Sequence, residues 1–361
     1  MAVETGHRAG RPAGDPSDHD ATTRFLRGAG IDPHHVVSQE PVSGGTYNTL
    51  YRLRTVDGSR LILKIPPPEG TSGLQYEHGL IQGEITYYRA LAGLTDVPVP
   101  RVVHAEPSGK SHGPLLMTEC PGTSWSELSN ELSAGERSTL RHSLGRTLAR
   151  AHTVTSHQFG YPAQQSGPPA RRATSWREAF TVMLNAVLED AERYSAWLPR
   201  PVPAIRKLIE PAASALDEVV NSVPVHFDLW EGNILLDGAA GRRTVSGIVD
   251  GERMFWGDPL AELPSLLLFG RAEDDPDLMA GYRAVAEGPD LDGTAVRTRL
   301  ALYRCYLYLI MLVETVPRAS TEEVVRETQT HVAPALLDAL DSLSSGATRS
   351  GDGHGRGHAS P

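Results

Sequence analysis

The residue types best suited to chemistry lie together in one short segment, HFDLWEGN, at positions 226–233. Asp228 and Asn233 stand five residues apart here, directly before the apolar run ILL at 234–236. Polar groups next to a buried strand need partners or a function, because an unpaired buried group costs about 1–3 kcal/mol. In phosphoryl transfer, a loop aspartate accepts the proton of the attacking hydroxyl and a following loop asparagine binds magnesium. The spacing predicts that chemistry, with Asp228 as the catalytic base.

A second aspartate completes the pattern. Asp250 ends the apolar stretch IVD, 17 residues after Asn233. Magnesium prefers oxygen ligands and keeps several of its waters, so an amide oxygen, a carboxylate and nucleotide phosphates are adequate coordination. We therefore predict Asn233 and Asp250 as metal ligands. His226 is expected to brace the loop through hydrogen bonds to the backbone.

A kinase also needs a strand lysine that reaches the nucleotide phosphates and a helical glutamate that holds this lysine. Lys64 lies in the apolar segment LILKIP, and Glu84 follows 20 residues later beside a helical stripe of apolar residues. A buried lysine needs such a partner, because desolvation otherwise favours its neutral form. The turn SGGTYN at 43–48 is the candidate for covering the phosphates through Ser43, Gly44, Gly45 and Thr46. By itself a Gly-Gly turn is a weak signal, since most such turns only join strands.

The elements that position these residues are predicted from periodicity. Alternating residues at 35–45, 48–55 and 59–66, with an Asp-Gly turn at 57–58, indicate a small antiparallel sheet. Apolar residues at helical spacing follow from position 81, and a further strand, PLLMTEC, ends near a hinge at 118–122. Beyond 125 helical patterns dominate, interrupted by short β-like runs at 234–236 and 244–250. The expected fold is α+β and bilobal: an N-lobe at 21–119, a mostly helical C-lobe at 120–343, and disordered tails at 1–20 and 344–361.

Composition narrows the class of protein. The 361 residues are 40% apolar and 22% charged, as in globular proteins, and the net charge of −10 argues against nucleic acid as a partner. Two cysteines outside any zinc-type spacing, and an N-terminus without a secretory pattern, favour the cytoplasm. The longest apolar stretch, 302–316, contains Arg304 and is too short to span a bilayer, so it is predicted to be a core helix.

Together these residues resemble the superfamily of aminoglycoside phosphotransferases and choline kinases, over about 35–315. The most specific segments are HFDLWEGNILLD, IVDGERMFWGDPLAEL and the Lys64 to Glu84 spacing. The resemblance implies a protein-kinase-like fold, with ATP or GTP between the lobes and the adenine at the hinge near Glu119 and Cys120. It also implies Mg²⁺ at Asn233 and Asp250, and phosphate contacts from Lys64.

Two positions depart from this family. Phe227 stands where these enzymes usually have glycine, and Glu262 stands where the segment GDPxxDL usually has aspartate. Neither is a ligand position, so the departures concern the subfamily. Asp258, just before Pro259, is expected to cap a helix.

The predicted function is O-phosphorylation of a small-molecule hydroxyl, with an antibiotic as the leading acceptor. A metabolic kinase for choline, homoserine, a ketosamine or a sugar is the alternative within this class. A catalytically inactive, nucleotide-binding scaffold is the alternative from another class, although all four of Lys64, Asp228, Asn233 and Asp250 are present. No membrane partner is expected, and the protein is predicted to be a monomer or homodimer.

Overall fold

The computed structural model describes residues 16–42, 47–68, 70–105, 113–162, 173–271, 274–288 and 290–348. It confirms the predicted α+β class, with a five-stranded antiparallel sheet followed by a mostly helical part. The sheet has the strand order β1-β2-β3-β5-β4. Its strands are β1 (Val36–Pro41), β2 (Thr49–Thr55), β3 (Arg60–Ile65), β4 (Val102–Ala105) and β5 (Leu115–Thr118).

Two helices, α1 (Pro16–Gly28) and α2 (Leu80–Leu91), contribute to the cores on the two faces of this sheet. Strand residues alternate between the faces, so Leu61 and Leu63 of β3 share a cluster with Phe25 of α1. Ile62, on the opposite face, packs instead with the cluster that contains α2. Lys64 follows the same alternation as Ile62, which directs its side chain toward α2.

The helical part begins after β5. Its helices are α3 (Trp125–Leu128), α4 (Ala134–Ala151), α5 (Trp176–Arg193), α6 (Val202–Ala212), α7 (Leu263–Leu266), α8 (Pro276–Arg283), α9 (Thr294–Val313) and α10 (Glu322–Thr348). Ser133 and Ser175 cap α4 and α5, since each hydroxyl accepts the N–H of the glutamate three residues later.

Five short strands lie among these helices: β6 (Thr123–Ser124), β7 (Val223–Val225), β8 (Ile234–Asp237), β9 (Thr244–Ile248) and β10 (Phe255–Gly257). They form a three-stranded sheet of order β6-β8-β9 and a pair β10-β7. The short strands at 234–237 and 244–248 match the predicted β-like runs, whereas β7 and β10 have no counterpart in the sequence prediction.

Helix α9 supplies much of the largest core. The side chains of Tyr303, Tyr306 and Ile310 are fully buried there. In α5, the Trp176 ring packs against Tyr303, and the Phe180 ring packs against both tyrosines. The prediction of a core helix over 302–316 is thus confirmed for its residues 302–313.

The tail boundaries need a correction. Helix α1 begins at Pro16, inside the segment 1–20 predicted to be disordered, and α10 continues to Thr348, past position 343. The glycine- and proline-rich composition of both ends concealed these helical turns. Within the described ranges, no helix is long and apolar enough to cross a membrane.

Candidate active site

The segment 226–233 forms the loop between β7 and β8. Glu262, whose side chain is 1% exposed, accepts backbone N–H groups of both His226 (2.9 Å) and Phe227 (3.1 Å). Ser265 Oγ accepts the next N–H, that of Leu229, at 3.1 Å. Hydrogen bonds to a charged acceptor are stronger than neutral ones, so Glu262 fixes the start of the loop from behind. At position 262, where the superfamily that the sequence resembles usually has aspartate, this chain thus has a glutamate that accepts two backbone N–H groups.

His226 joins this loop to the end of β9. Its Nδ1 accepts the N–H of Asp228 at 3.3 Å, which leaves the ring proton on Nε2 to be donated to the Val249 carbonyl at 2.9 Å. Val249 N–H in turn donates to the Asn233 carbonyl at 3.0 Å. These bonds hold the segments before Asp228 and Asp250 in fixed relation, and they agree with the bracing role expected for His226.

Asp228 and Asn233 lie side by side. Asn233 Nδ2 donates to the Asp228 carbonyl at 2.7 Å and lies 3.5 Å from its carboxylate. Burial raises the pKa of Asp228, and the guanidinium of Arg253, with its Nε 3.9 Å from the carboxylate, opposes that rise. The carboxylate is partly exposed, so an incoming hydroxyl can reach it.

Lys64 is the centre of a buried charge cluster. Its ammonium lies 2.7 Å from Glu84, 2.6 Å from Asp250 and 2.6 Å from Glu252. Burial alone would lower the pKa of Lys64, but the three carboxylates raise it well above its ordinary value. Lys64 is therefore charged, and it connects β3, α2 and the end of β9 at one point.

Local backbone structure positions the acidic partners. Tyr88 of α2 donates its hydroxyl to Glu84 at 2.8 Å and accepts the N–H of Asp250 at 2.9 Å. Asp250 has a left-handed backbone, with φ of 63°, which turns its side chain back toward Lys64. Burial would raise the pKa of Asp250, but the Lys64 ammonium lowers it below its ordinary value.

Sequence reasoning missed Glu252. Its carboxylate contacts Lys64 and also accepts a hydrogen bond from Asn48 Nδ2 at 2.7 Å. Burial, with the nearby charges of Asp250 and Glu84, raises the pKa of Glu252 to about 7, although Lys64 opposes the rise. The only signal in the sequence was a second acidic residue two positions after Asp250.

The donor set fits a hard divalent cation. Carboxylate oxygens of Glu84, Asp250 and Glu252 lie within 4.8 Å of one another, and the Lys64 ammonium contacts one oxygen of each. The Asn233 amide uses its nitrogen for Asp228, so its oxygen is the end left for a ligand. Oxygen donors of this kind suit Mg²⁺, and Glu252 adds a candidate to the predicted pair Asn233 and Asp250.

Of the predicted nucleotide contacts at the glycine turn and the hinge, only those at the hinge, Glu119 and Cys120, lie in the part of the chain that the structure describes. Ser43, Gly44, Gly45 and Thr46 lie outside the described residues. Glu119 directly follows β5; its N–H donates to the Arg60 carbonyl at 3.0 Å, and its carboxylate pairs with Arg52 and Arg60 at 2.6 Å each. Cys120 is half-buried against Gly247 of β9, and burial raises the pKa of its thiol to about 11.

A second charged group borders Asp228, and the sequence did not reveal it. Arg253 pairs with Glu314 at 3.1 Å, and Arg318 pairs with Glu314 at 3.0 Å and with Glu77 at 2.6 Å. The Arg253 guanidinium also lies over the Tyr76 ring, 5.9 Å from its centroid. Apart from Glu314 and Arg318, which are four residues apart, these partners are distant in the chain, so local patterns gave no sign of the group.

Comparison with known proteins places the chain in a family. A model described as Phosphotransferase enzyme family matches residues 38–301. Comparison with curated protein sequences gives no significant match.

Several solved structures share the fold at low identity. A candidate fructosamine-3-kinase from Thermobifida fusca YX-ER1 is 19% identical, with a TM-score of 0.62, over 93% of this chain and 100% of that one. The aminoglycoside phosphotransferase APH(4)-Ia, as a thermostable mutant with AMP-PNP and hygromycin B, is 14% identical with a TM-score of 0.54, over 86% and 95%. Macrolide 2'-phosphotransferase MphH from Brachybacterium faecium is 16% identical with a TM-score of 0.53, over 88% and 98%. These likenesses establish the fold.

Proposed function

The chain belongs to the phosphotransferase enzyme family, and from this premise we propose that it transfers the γ-phosphate of ATP or GTP to a hydroxyl group of an antibiotic. The acceptor would be of the aminoglycoside, nucleoside or macrolide type, and the reaction would serve resistance or self-protection. The proposal includes a cytoplasmic location and a monomeric or homodimeric enzyme.

One observation carries the proposal. Lys64 from the sheet contacts Asp250 from the helical part. Asp250 follows Val249, whose carbonyl accepts from the His226 ring and whose N–H donates to the Asn233 carbonyl, while His226 Nδ1 accepts the N–H of Asp228. Four residues spread over 187 positions of the chain thus converge where the sheet meets the helical part. Phosphoryl transfer needs this set: a cation for the phosphates, metal ligands, and a base for the attacking hydroxyl.

In the proposed reaction, Asp228 accepts the acceptor's hydroxyl proton as the oxygen attacks the γ-phosphorus. The bond from that phosphorus to the β,γ-bridging oxygen breaks, and the nucleoside diphosphate leaves. Asn233 and the His226 ring fix the backbone of Asp228, so its carboxylate does not need to reorganise. Lys64 holds phosphate oxygens after exchanging one of its carboxylate contacts for them. Asn233 and Asp250, with Glu252 as a further candidate, would hold Mg²⁺, which would supply positive charge to neutralise the phosphates.

The solved relatives support an antibiotic acceptor, because two of those named above are antibiotic phosphotransferases. The polar group of Arg253, Glu314 and Arg318 beside Asp228 supplies both donors and acceptors for a hydroxyl-rich molecule. A metabolic kinase is the second candidate, favoured by the likeness to the candidate fructosamine-3-kinase and by the segment DLWEGN.

The first experiment tests the base. Purified wild-type protein and the Asp228→Asn variant are incubated with ATP or GTP, Mg²⁺ and a panel of hydroxylated antibiotics, ketosamines, choline, homoserine and sugars, and products are identified by mass spectrometry. We expect turnover of the best acceptor to fall by about 10²–10⁴ in the variant, as is typical for loss of a general base. Asp237→Asn, at the exposed end of β8, is the matched control.

A decrease of less than tenfold in Asp228→Asn would contradict the assignment of the base. Phosphorylation of metabolites and of no antibiotic would transfer the function to the second candidate. Absence of both acceptor phosphorylation and Mg²⁺-dependent nucleotide hydrolysis would favour an inactive scaffold.

A further inference from the structure

A cavity lies behind the catalytic loop, residues 226–233, in the helical part. It has a volume of about 340 Å³ and lies between the end of α4, the segment 258–263, α8 and the start of α9. Its apolar wall is formed by leucine and methionine side chains, mainly Leu148, Leu260, Leu263, Leu278 and Met279. Binding sites for small molecules have this character, a largely apolar wall of at least about 300 Å³ with a few polar groups.

This cavity is separate from the site of phosphoryl transfer. None of Lys64, Asp228, Asn233 and Asp250 contributes to its wall, and the only shared group is Glu262. Both carboxylate oxygens of Glu262 accept N–H groups of the catalytic loop, so this side chain is the partition between the two spaces.

Most polar groups of the wall are already paired. Asp258 accepts hydrogen bonds from Leu260 N–H and from the Tyr303 hydroxyl, and it pairs with Arg299 at 2.9 Å. Arg299 in turn contacts Glu218 at 2.6 Å. Arg299 Nε has no well-directed hydrogen bond, but the guanidinium is paired with the Asp258 and Glu218 carboxylates, so these groups need no ligand to offset their charges.

His152 differs from them. Its side chain is 4% exposed, yet its Nε2 has no hydrogen-bond partner among the described residues. Its Nδ1 lies 3.0 Å from the Tyr282 hydroxyl. A buried polar atom without a partner costs about 1–3 kcal/mol, and a ligand that bonds to it recovers part of that cost.

The nearby Glu262 carboxylate determines whether His152 Nε2 would donate or accept the missing hydrogen bond. Glu262 Oε2 lies 3.9 Å from His152 Nε2, too far for a hydrogen bond but close enough to repel a lone pair. The proton is therefore favoured on Nε2, with Nδ1 accepting from Tyr282, and a ligand must supply an acceptor. Glu287 at the exposed edge and Glu262 inside disfavour an anion.

We propose that this cavity is a binding site for a small, uncharged and mainly apolar molecule with one hydrogen-bond acceptor, which His152 Nε2–H recognises. The observations that carry it are the cavity, the buried unpartnered nitrogen and the apolar wall. The site is independent of the proposed acceptor, so it can be tested on the protein without nucleotide.

The test uses 2-octanone as the probe and the methyl group of Met279 as the reporter. The full-length protein is labelled with [13C-methyl]methionine, and the Met279 signal is assigned with Met279→Leu. We expect 2-octanone to shift the Met279 signal saturably, while Met117, in the sheet, does not move. His152→Phe should weaken binding by about two- to tenfold, the value of one hydrogen bond, while the exposed His157→Phe should leave it unchanged.

Octanoate and octylammonium distinguish the chemistry of the ligand. Equal or tighter binding of either ion at Met279 would overturn the neutral class, and equal affinity in His152→Phe would overturn the role of His152. No shift of Met279 up to the solubility limit of 2-octanone would overturn the site itself. Leu278→Phe, which fills the cavity, should abolish the shift and provides the test if His152→Phe does not fold.

Discussion

The raised pKa of Glu252 gives a prediction with a sign and a magnitude. Burial away from water, together with the nearby charges of Asp250 and Glu84, raises the pKa of this carboxyl from its ordinary 4.5 to about 7 in the folded protein, although Lys64 opposes the rise. A carboxyl whose pKa is higher in the folded than in the unfolded protein contributes stability at pH values below its unfolded pKa. This contribution is lost as the pH rises toward the pKa of the folded protein. At about 1.4 kcal/mol per pH unit, the loss between pH 4.5 and 7 is about 3 kcal/mol.

Glu252→Gln removes this proton equilibrium while keeping the side-chain length and an oxygen for Asn48. We expect the wild type to lose about 2–3 kcal/mol of unfolding free energy relative to the variant between pH 5 and pH 8. Urea denaturation of both proteins at several pH values, without nucleotide and with EDTA, measures the difference. The exposed Glu323→Gln is the matched control for loss of a surface carboxylate. A constant difference between variant and wild type across this range would refute the reasoning about the carboxylate cluster.

Three further predictions concern the groups around the site. Lys64→Met leaves three carboxylates without their cation, so we expect about 3–5 kcal/mol lower stability, measured by denaturation, and loss of nucleotide affinity, measured by calorimetry. The exposed Lys207→Met should change neither quantity. An unaffected nucleotide affinity in Lys64→Met would contradict the phosphate-binding role of Lys64. Gly83→Ala places a Cβ 2.4 Å from the Glu252 carbonyl and should lower the unfolding free energy by about 1–3 kcal/mol. Gly93→Ala, with open space around it, should leave the unfolding free energy nearly unchanged. Equal stabilities of the two variants would show that α2 can shift freely. Glu262→Gln turns one acceptor of the loop N–H groups into a donor, so kcat should fall while nucleotide affinity stays within twofold. A change in nucleotide affinity alone would show that Glu262 does not support the catalytic loop.

Local patterns were sufficient for much of the fold. The strands at 49–55 and 60–65 and the helix at 80–91 follow from alternating and helical spacing over several residues. The capping role expected for Asp258 is confirmed, since its side chain accepts the N–H of Leu260. Strands β7 and β10 are three residues each, too short to produce a periodic signal.

The residues that sequence reasoning missed have distant partners. Glu252 acquires its importance from Lys64, 188 positions earlier, and Arg253 from Glu314, 61 positions later. Asp258 has a role beyond capping because Tyr303 and Arg299 reach it from α9. Such contacts depend on how the elements pack, which a single sequence does not encode in its local spacing.

The structure also shows the contacts of Phe227 and Glu231, two loop residues to which the sequence alone assigns no role. Phe227 is fully buried, with its ring against Phe255 and Tyr306, and its φ of 60° is one that glycine adopts at little cost. Aromatic packing therefore offsets a backbone strain where the family usually has glycine. Glu231 contacts Ser129 and Arg137, which attaches the loop to the turn directly after α3 and to α4.

The close contact of α2 with the segment 251–253 determines which parts can move together. Gly83 allows the α2 backbone to lie directly against Glu252, and Tyr88 bonds to Asp250. Just before α2, Gln75 and Glu77 are bonded to Asp190 and Arg318 of the helical part. Helix α2 therefore belongs mechanically to the helical part, although it lies within the N-terminal half of the chain. A motion of the sheet relative to the helical part would therefore slide the sheet past this helix, and it would break the ion pairs of Lys64 with Glu84, Asp250 and Glu252 together.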